Sequence, residues 1–224
     1  MAVDITEAAK NWSAEHPQAV EALTPLVRRG AAIFSSTYHD VVARALDLPR
    51  SRRPGDIDLL MPSQAFGRAA RHLGAAAVVG DVKFQTRDGQ PAQMYAREAL
   101  AYIGGDEVQF LDPLGRLCVG SESSYDTRFT PQAVAARTVV ETDEGILAFA
   151  HPIETIGMYA MLQRGGAKND AGHAATLLAA TAALEGDYAF DRAVAMGWDA
   201  RVWRFIGDAS AAAAGAQVVF ASAA

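Results

Sequence analysis

The spacing of apolar residues changes twice along the 224-residue chain, and this pattern constrains the fold more than any other feature. Residues 4–29 have helical spacing, the middle of the chain alternates apolar and polar residues in short runs, and the spacing from Pro152 onward is helical again. A period of 3.6 residues predicts helix and a period of two predicts strand. We therefore expect an α+β fold, with a small mixed sheet flanked by helices over residues 1–150 and a helical C-terminal subdomain over residues 151–224.

Turn residues divide this pattern into elements. Pro62 separates a predicted strand, Asp56–Met61, from a helix that has Ser63 as its N-cap. An apolar stripe predicts an earlier helix over Tyr38–Leu46. Alternation and turn signals predict further strands over Ala75–Val79, Asp81–Thr86, Gln93–Ile103 and Glu107–Leu111, and a hairpin formed by Thr138–Thr142 and Ile146–Ala150.

Composition excludes several classes of protein. Half of the residues are hydrophobic and 21% are charged, which is the balance of a folded domain and not of a disordered chain. The formal net charge of -6 opposes a general electrostatic hold on nucleic acid but leaves a local basic patch open. Cys118 is the only cysteine, so an internal disulfide and a cysteine-based zinc site are excluded. Because the sequence has no signal-peptide pattern and no apolar run long enough to span a bilayer, we expect a cytoplasmic protein without a membrane partner.

The most specific chemical feature is Asp56-Ile57-Asp58, which lies on a predicted strand. Residues two apart on a strand face the same side, so both carboxylates point one way, while Ile57 and Leu59 point into the core. Adjacent carboxylates repel each other, and a divalent cation relieves the repulsion. Magnesium prefers one or two carboxylates together with substrate phosphates. The pair therefore predicts a magnesium site for phosphoryl chemistry or, as the simpler interpretation, a solvated strand end.

Hydroxyl residues precede this strand in a position that suits phosphate. Ser35-Ser36-Thr37 stands between an apolar segment and a predicted helix. Free N–H groups and hydroxyls at the start of a helix can bind phosphate, although an ordinary N-cap is the simpler interpretation. Arg52 and Arg53 are followed closely by Asp56, where they could contact phosphates.

This order, a small-residue turn, a helix and then Asp-x-Asp, resembles the nucleotidyltransferase superfold. Downstream, His151-Pro152-Ile153-Glu154 begins a predicted helix that ends near Arg164, and Lys168-Asn169-Asp170-Ala171-Gly172-His173 follows. These residues resemble the Pro-x-Glu, Arg and Lys-x-Asp-x-x-Asp/His motifs of the AbiEii-type nucleotidyltransferases, which are the toxins of type IV toxin–antitoxin systems. The resemblance covers roughly residues 30–178, and it is carried by the order and spacing of short motifs.

The resemblance implies magnesium-dependent transfer of a nucleotidyl group from a nucleoside triphosphate to an acceptor hydroxyl on tRNA, a protein or a small molecule. It also implies a cognate antitoxin as a partner. Asp56 and Asp58 would be catalytic and would hold magnesium, and Lys168 and Asp170 would act as a phosphate ligand and a proton acceptor. The resemblance assigns the nucleotide phosphates to the hydroxyl turn, Ser35, Ser36 and Thr37. The position of Arg53 close to Asp56 adds a further predicted phosphate contact.

Two features depart from the family's pattern. Ser35 and Ser36 stand where the family usually has two glycines, and Gln109 falls where a third carboxylate is expected on a later strand. Glu107 and Asp112 are the nearest alternatives, but we expect them on opposite faces and at the ends of that strand. A second hypothesis therefore stays open, namely a nucleotidyltransferase-like protein that binds nucleotides or regulates without turnover.

Overall fold

A computed structural model describes residues 3–48, 56–86, 89–166, 168–180 and 187–222. In this part of the chain, helices flank a mixed sheet of eight strands, so the α+β class is confirmed. The strands are β1 (Ala32–Ile33), β2 (Ile57–Leu60), β3 (Ala77–Gln85), β4 (Pro91–Ile103), β5 (Asp106–Val119), β6 (Ser123–Asp126), β7 (Thr138–Thr142) and β8 (Gly145–Phe149). The helices are α1 (Thr6–Glu15), α2 (Pro17–Val27), α3 (Ser35–Ala45), α4 (Ser63–His72), α5 (Pro131–Ala135), α6 (Pro152–Leu162), α7 (Asp170–Ala180), α8 (Asp187–Met196) and α9 (Ala200–Ser222). None of these helices is long and apolar enough to cross a bilayer.

The strand order is β3-β4-β5-β2-β1-β8-β7, and β6 pairs with β5 outside this path. β2 lies near the centre, antiparallel to β1 and parallel to β5. In the second pairing Asp58 stands opposite Gln109. β4 is antiparallel to β5, and β3, at the edge, is antiparallel to β4. The short strand with the aspartates is therefore held between two neighbours, which fixes the direction of its side chains.

The predicted helix over residues 4–29 is divided into two helices, α1 and α2. His16 separates them, with φ at -128° and ψ at 46°. A residue before proline is disfavoured in helical backbone because the proline ring crowds it, and proline itself is well suited to the first turn of a helix. Pro17 therefore ends one helix and begins the next. The Nδ1 atom of His16 lies 2.9 Å from an Asp106 carboxylate oxygen, which ties the break to the start of β5.

The strand predicted to end at Leu111 continues as β5 to Val119. Asp112 therefore lies within the strand and not at its end, and its side chain is only 1% exposed. It accepts a hydrogen bond of 2.7 Å from the Ser63 hydroxyl and forms an ion pair with Arg97. Ser63 is accordingly the first residue of α4 and not its cap, since the preceding proline is the N-cap. Asp112 interrupts the alternating apolar pattern of the strand, and it can be buried because Ser63 and Arg97 satisfy its carboxylate.

Other elements match the prediction more closely. β7 has the predicted bounds, and β8 begins and ends one residue before its predicted bounds. The two strands predicted over residues 75–86 form the single strand β3, because Gly80 continues the pairing with β4. α3 begins three residues earlier than predicted, at Ser35. β6 and α5 were not predicted.

The described residues after Pro152 are largely helical, as expected. α6 is buried along most of its length, and α7 packs against α6, α9 and α3. Buried apolar residues of both halves of the chain belong to one hydrophobic core. A division into two domains at residue 150 stays a prediction. This packing brings the start of α7 close to the start of α3.

Candidate functional site

A cavity of about 570 Å³ lies between the sheet and the starts of α3 and α7. Six of the eight predicted site residues line it, namely Ser35, Ser36, Asp56, Asp58, Lys168 and Asp170. More than 100 residues of sequence separate the aspartates from the last two. The fold therefore brings together motifs that the sequence could only place in order. Further polar residues that line the cavity are His39, Asp81, Lys83, Glu98, Gln109, Tyr159, Arg164 and His173.

Asp56 and Asp58 lie just before and within β2. Ile57 and Leu59 are buried in the core, at 3% and 0% exposure, while both aspartates line the cavity. This is the arrangement that a period of two requires, because alternate residues of a strand face opposite sides. The two carboxylates are thus presented together to the cavity.

Asp58 has a strongly perturbed carboxyl group. Burial raises its pKa to about 7, and the neighbouring charge of Asp56 acts in the same direction. A hydrogen bond from Ser35 and the charges of Lys168 and Arg164 oppose this shift but do not cancel it. Neither aspartate forms an ion pair with any residue in the described part of the chain. The cavity therefore contains a carboxylate that a bound cation would stabilise.

The donors present suit a metal that shares its coordination with a substrate. Within the described ranges, no group of three or more His, Cys, Asp or Glu side chains is arranged to hold a metal ion. Asp56 and Asp58 alone provide two carboxylates, and magnesium characteristically takes one or two carboxylates plus substrate phosphates. The unpaired charge of Asp58 fits such a cation.

The start of α3 forms another wall of the cavity. Ser35 has φ at 61°, in the left-handed region that favours glycine. Its N–H donates to the Thr155 hydroxyl on α6 over 3.2 Å, and the N–H of Phe34 donates to the Asp58 carbonyl over 3.1 Å. Ser35 therefore adopts a backbone that favours glycine, the residue that the resemblance predicts at this position. The first residues of α3, Ser35 and Ser36, thus line the cavity together with the carboxylates, and the N-terminus of a helix carries partial positive charge.

Thr37 does not line this cavity. Its side chain is fully buried, and its hydroxyl donates to the Asp56 carbonyl over 3.0 Å. Thr37 therefore joins α3 to the start of β2, and the structure gives it a positioning contact in place of the phosphate contact we expected. The predicted phosphate contact of Arg53 falls outside the described residues, as does Arg52.

Asp170 and Arg164 form one unit at the start of α7. The fully buried Asp170 carboxylate accepts hydrogen bonds from the Arg164 backbone N–H, over 2.7 Å, and from its guanidinium, over 3.0 and 3.1 Å. Burial raises the pKa of Asp170, and Arg164 opposes the rise. Both carboxylate oxygens thus face the arginine. This geometry makes Asp170 a positioning residue for the Arg164 guanidinium and weakens its predicted role as a proton acceptor.

The same end of the cavity is rich in positive charge. Lys83 from β3, Arg164 and Lys168 line both this cavity and an adjoining one. Among the described residues neither lysine forms an ion pair. These cations and the carboxylate pair line the same cavity, and the charges of Lys168 and Arg164 act on Asp58. Such an arrangement can hold a ligand with several phosphates and a metal ion.

Gln109 stands directly opposite Asp58, at the position where the resemblance predicts a third carboxylate. The Gln109 amide donates to a Glu98 carboxylate oxygen over 2.9 Å, and Glu98 also lines the cavity. Glu107 and Asp112 do not line it; Glu107 accepts a hydrogen bond from Tyr102, over 2.9 Å. Sequence reasoning missed Glu98 because β4 was not aligned with β5. The turn after Ile103 sets the register between these two strands. In this register Leu100 pairs with Gln109, and Glu98 lies two residues further from the turn on β4. The turn is therefore the sequence feature from which the position of Glu98 could have been predicted.

Two histidines form an uncharged part of the wall. The rings of His39 and His173 lie 4.2 Å apart between their centroids. Burial, together with the nearby His173, lowers the pKa of His39 to about 4. Burial also lowers the pKa of His173. Both imidazoles are therefore neutral near pH 7, which allows them to pack together.

Comparison with known proteins adds no family to this description. No family model, curated protein or solved structure matches the chain. The function is therefore inferred from the residues of the site and from the resemblance of its short motifs.

Proposed function

We propose that the chain binds a nucleoside triphosphate with magnesium in this cavity and transfers the nucleotidyl group to an acceptor hydroxyl. The fold would then be a nucleotidyltransferase-like sheet with a helical C-terminal subdomain. The observation that carries the proposal is the meeting of Asp56 and Asp58 with the N-terminus of α3 and with Arg164 and Lys168 around one cavity. The carboxylates are suited to the magnesium ion, and the helix N-terminus and the cations are suited to the phosphates.

Phosphate binding is assigned to the helix terminus and the cations. Ser35 and Ser36 begin α3, where the helix dipole favours an anion. Arg164 can hold two phosphate oxygens at once, and Asp170 fixes the orientation of its guanidinium. Lys168 adds a further positive charge to the cavity wall. A magnesium ion on Asp56 and Asp58 would neutralise charge on the carboxylates and phosphates.

Proton transfer is assigned to Glu98. In nucleotidyl transfer the acceptor oxygen bonds to the α-phosphorus, the bond from that phosphorus to pyrophosphate breaks, and the acceptor hydroxyl loses its proton. Glu98 lines the cavity and is held by the Gln109 amide, so its carboxylate can take that proton. Asp170 is less suited to this step because it is fully buried against Arg164.

One observation favours the second candidate, nucleotide binding without turnover. The residue opposite Asp58 is an amide, which cannot accept the proton or bridge metal ions as a carboxylate does. Both functions use the same phosphate-binding residues, and only the first requires Glu98 to accept the proton of the acceptor hydroxyl. Turnover, and not binding, therefore separates them.

The acceptor and the partners follow from the resemblance alone. A tRNA, a protein side chain and a small molecule all offer a hydroxyl, and a toxin of this type would have a cognate antitoxin. The net charge of -6 favours a local contact with any RNA over a broad electrostatic one.

The test is incubation of the protein with each α-labelled triphosphate, magnesium and a lysate that supplies total RNA and protein. We expect label on one acceptor class and release of pyrophosphate. Glu98→Gln should lower the rate by 10²-fold or more, the usual scale of a lost proton acceptor, and retain triphosphate binding. Glu141→Gln, on the exposed face of β7, is the matched control and should leave the rate unchanged. Triphosphate binding without label transfer by the wild type would establish the second candidate, and absence of binding would exclude both.

A further inference from the structure

Tyr159 on α6 carries a buried hydroxyl group that lacks a hydrogen bond of normal geometry within the described part of the chain. The side chain is 2% exposed and lines the cavity, yet its hydroxyl makes no hydrogen bond of normal geometry with the described residues. A buried polar group without a partner is costly, and native proteins rarely retain one without a reason. Trp198 and Arg201 also have a buried nitrogen without a partner, but neither residue lines the cavity.

Other tyrosines in the structure do find acceptors. The Tyr125 hydroxyl donates to Asp199 over 2.9 Å, and the Tyr188 hydroxyl donates to Glu154 over 3.1 Å. Both acceptors are carboxylates. Tyr159 thus differs from them in lacking an anionic oxygen, and the place where one could enter is the cavity that it lines.

The surroundings of Tyr159 define the acceptor that fits. Burial, together with the nearby charge of Asp170, raises the pKa of the hydroxyl, so it stays protonated and acts as a donor. Arg164 and Ser35 also interact with the hydroxyl, so it lies where the phosphate-binding cations meet the N-terminus of α3. A donor beside a guanidinium and a helix N-terminus is suited to an oxygen that carries negative charge.

We propose that Tyr159 is a phosphate-binding residue whose hydroxyl donates a hydrogen bond to an anionic oxygen of the bound triphosphate, beside Ser35 and Arg164. This assignment rests on the proposed function. The described residues give the hydroxyl no hydrogen bond of normal geometry, and an anionic oxygen of the ligand would accept one from it. Binding therefore recovers a contact that the fold alone does not make.

The test is Tyr159→Phe, which keeps the packed ring and removes only the hydroxyl. Calorimetry should measure the affinity for inorganic tripolyphosphate with magnesium and for each nucleoside triphosphate with magnesium. We expect about 10- to 100-fold weaker binding of both kinds of ligand, the scale of one hydrogen bond to a charged group. The unliganded variant should melt at the same temperature as the wild type or higher. Tyr188→Phe is the matched control, because it loses a satisfied hydrogen bond: it should melt lower and bind normally.

The outcomes separate this inference from the function beneath it. If the wild type binds no triphosphate, both are overturned. If the wild type binds and Tyr159→Phe binds equally well, only the role of Tyr159 is overturned. Weaker binding of nucleotides with unchanged binding of tripolyphosphate overturns the phosphate assignment. A variant that melts well below the wild type shows a structural hydroxyl and also overturns it.

Discussion

Replacing Asp58 by Asn should stabilise the unliganded protein above neutral pH and abolish its response to magnesium. The folded chain raises the pKa of this carboxyl from 3.8 to about 7, chiefly by burial and then by the charge of Asp56. Its ionised form is therefore less favourable in the folded state than in the unfolded state. Asparagine has a similar shape and no charge, so it avoids that cost.

The size and pH range of the effect follow from linkage. A group whose pKa is higher in the folded state contributes stability below its unfolded pKa and loses that contribution as pH rises through the folded value. For Asp58 the loss runs from about pH 4 to about pH 7. Three pKa units correspond to about 4 kcal/mol at most, and screening by solvent in an open cavity reduces this to about 2 kcal/mol. In a chain of this size that is a rise of about 4–8 °C in melting temperature.

The assay is thermal unfolding of wild type and Asp58→Asn at pH 5 and pH 8, with and without millimolar magnesium chloride. We expect the variant to melt higher at pH 8 and to gain less at pH 5, where about a third of the loss has taken place. Magnesium should raise the melting temperature of the wild type alone. Asp112→Asn is the matched control, because that aspartate is paired with Arg97 and its neutralisation should destabilise the fold by about 3 kcal/mol.

Two results would refute this reasoning. A lower melting temperature of Asp58→Asn at pH 8 would mean that the carboxylate supports the fold and is not an uncompensated charge. An equal gain at pH 5 and pH 8 would mean that the stabilisation does not come from ionisation. Either result would remove the physical basis for a cation at this site.

The remaining predictions concern other parts of the cavity wall. The pKa of His39 is lowered to about 4 in the folded protein, so the unfolded chain binds a proton at this residue first as pH falls from about 6.5. The free energy of unfolding therefore decreases over this range. His39→Gln should remove up to about 3 kcal/mol of this loss between pH 6.5 and pH 4, measured by denaturant unfolding. Asp170→Asn should destabilise the protein by about 3 kcal/mol and weaken triphosphate binding, while the pH profile of any turnover stays unchanged; a shifted profile would restore Asp170 as a proton acceptor. Ser35→Gly should stabilise by about 1 kcal/mol, because the position has positive φ, and Ser35→Ala should not. Asp47→Gly, also at positive φ but on the surface, is the control for a purely conformational gain.

Much of the fold could be predicted because its elements follow simple periods. The hairpin of β7 and β8 and the strand with Asp58 follow from alternation and turn residues alone. The errors occur where tertiary contacts override the local pattern. β5 continues through Asp112 because Arg97 and Ser63 satisfy a buried carboxylate, and these partners lie far away in sequence. The break at His16 could have been predicted, since Pro17 follows it directly.

The site was predictable only where a motif is local. Asp56 and Asp58 are two residues apart on one strand, so their common direction follows from the sequence. Glu98 and Tyr159 reach the same cavity through the pairing of β4 with β5 and the packing of α6, and neither event leaves a local pattern. For the same reason sequence reasoning placed Asp170 near the site but could not show that Arg164 occupies its carboxylate.

The neighbouring strand gives a physical reason for an amide at position 109, where the resemblance predicts a carboxylate. The pKa of Asp58 is already about 7. A further carboxylate directly opposite it would repel its negative charge and raise this pKa, so a larger fraction of Asp58 would be protonated. An amide adds no charge, and its N–H holds Glu98 one strand further away. Glu98 thus lines the cavity together with Asp56 and Asp58, and the amide causes less repulsion on Asp58 than a carboxylate at position 109 would. Gln109 is therefore compatible with the proposed turnover if Glu98 accepts the proton that the amide cannot accept.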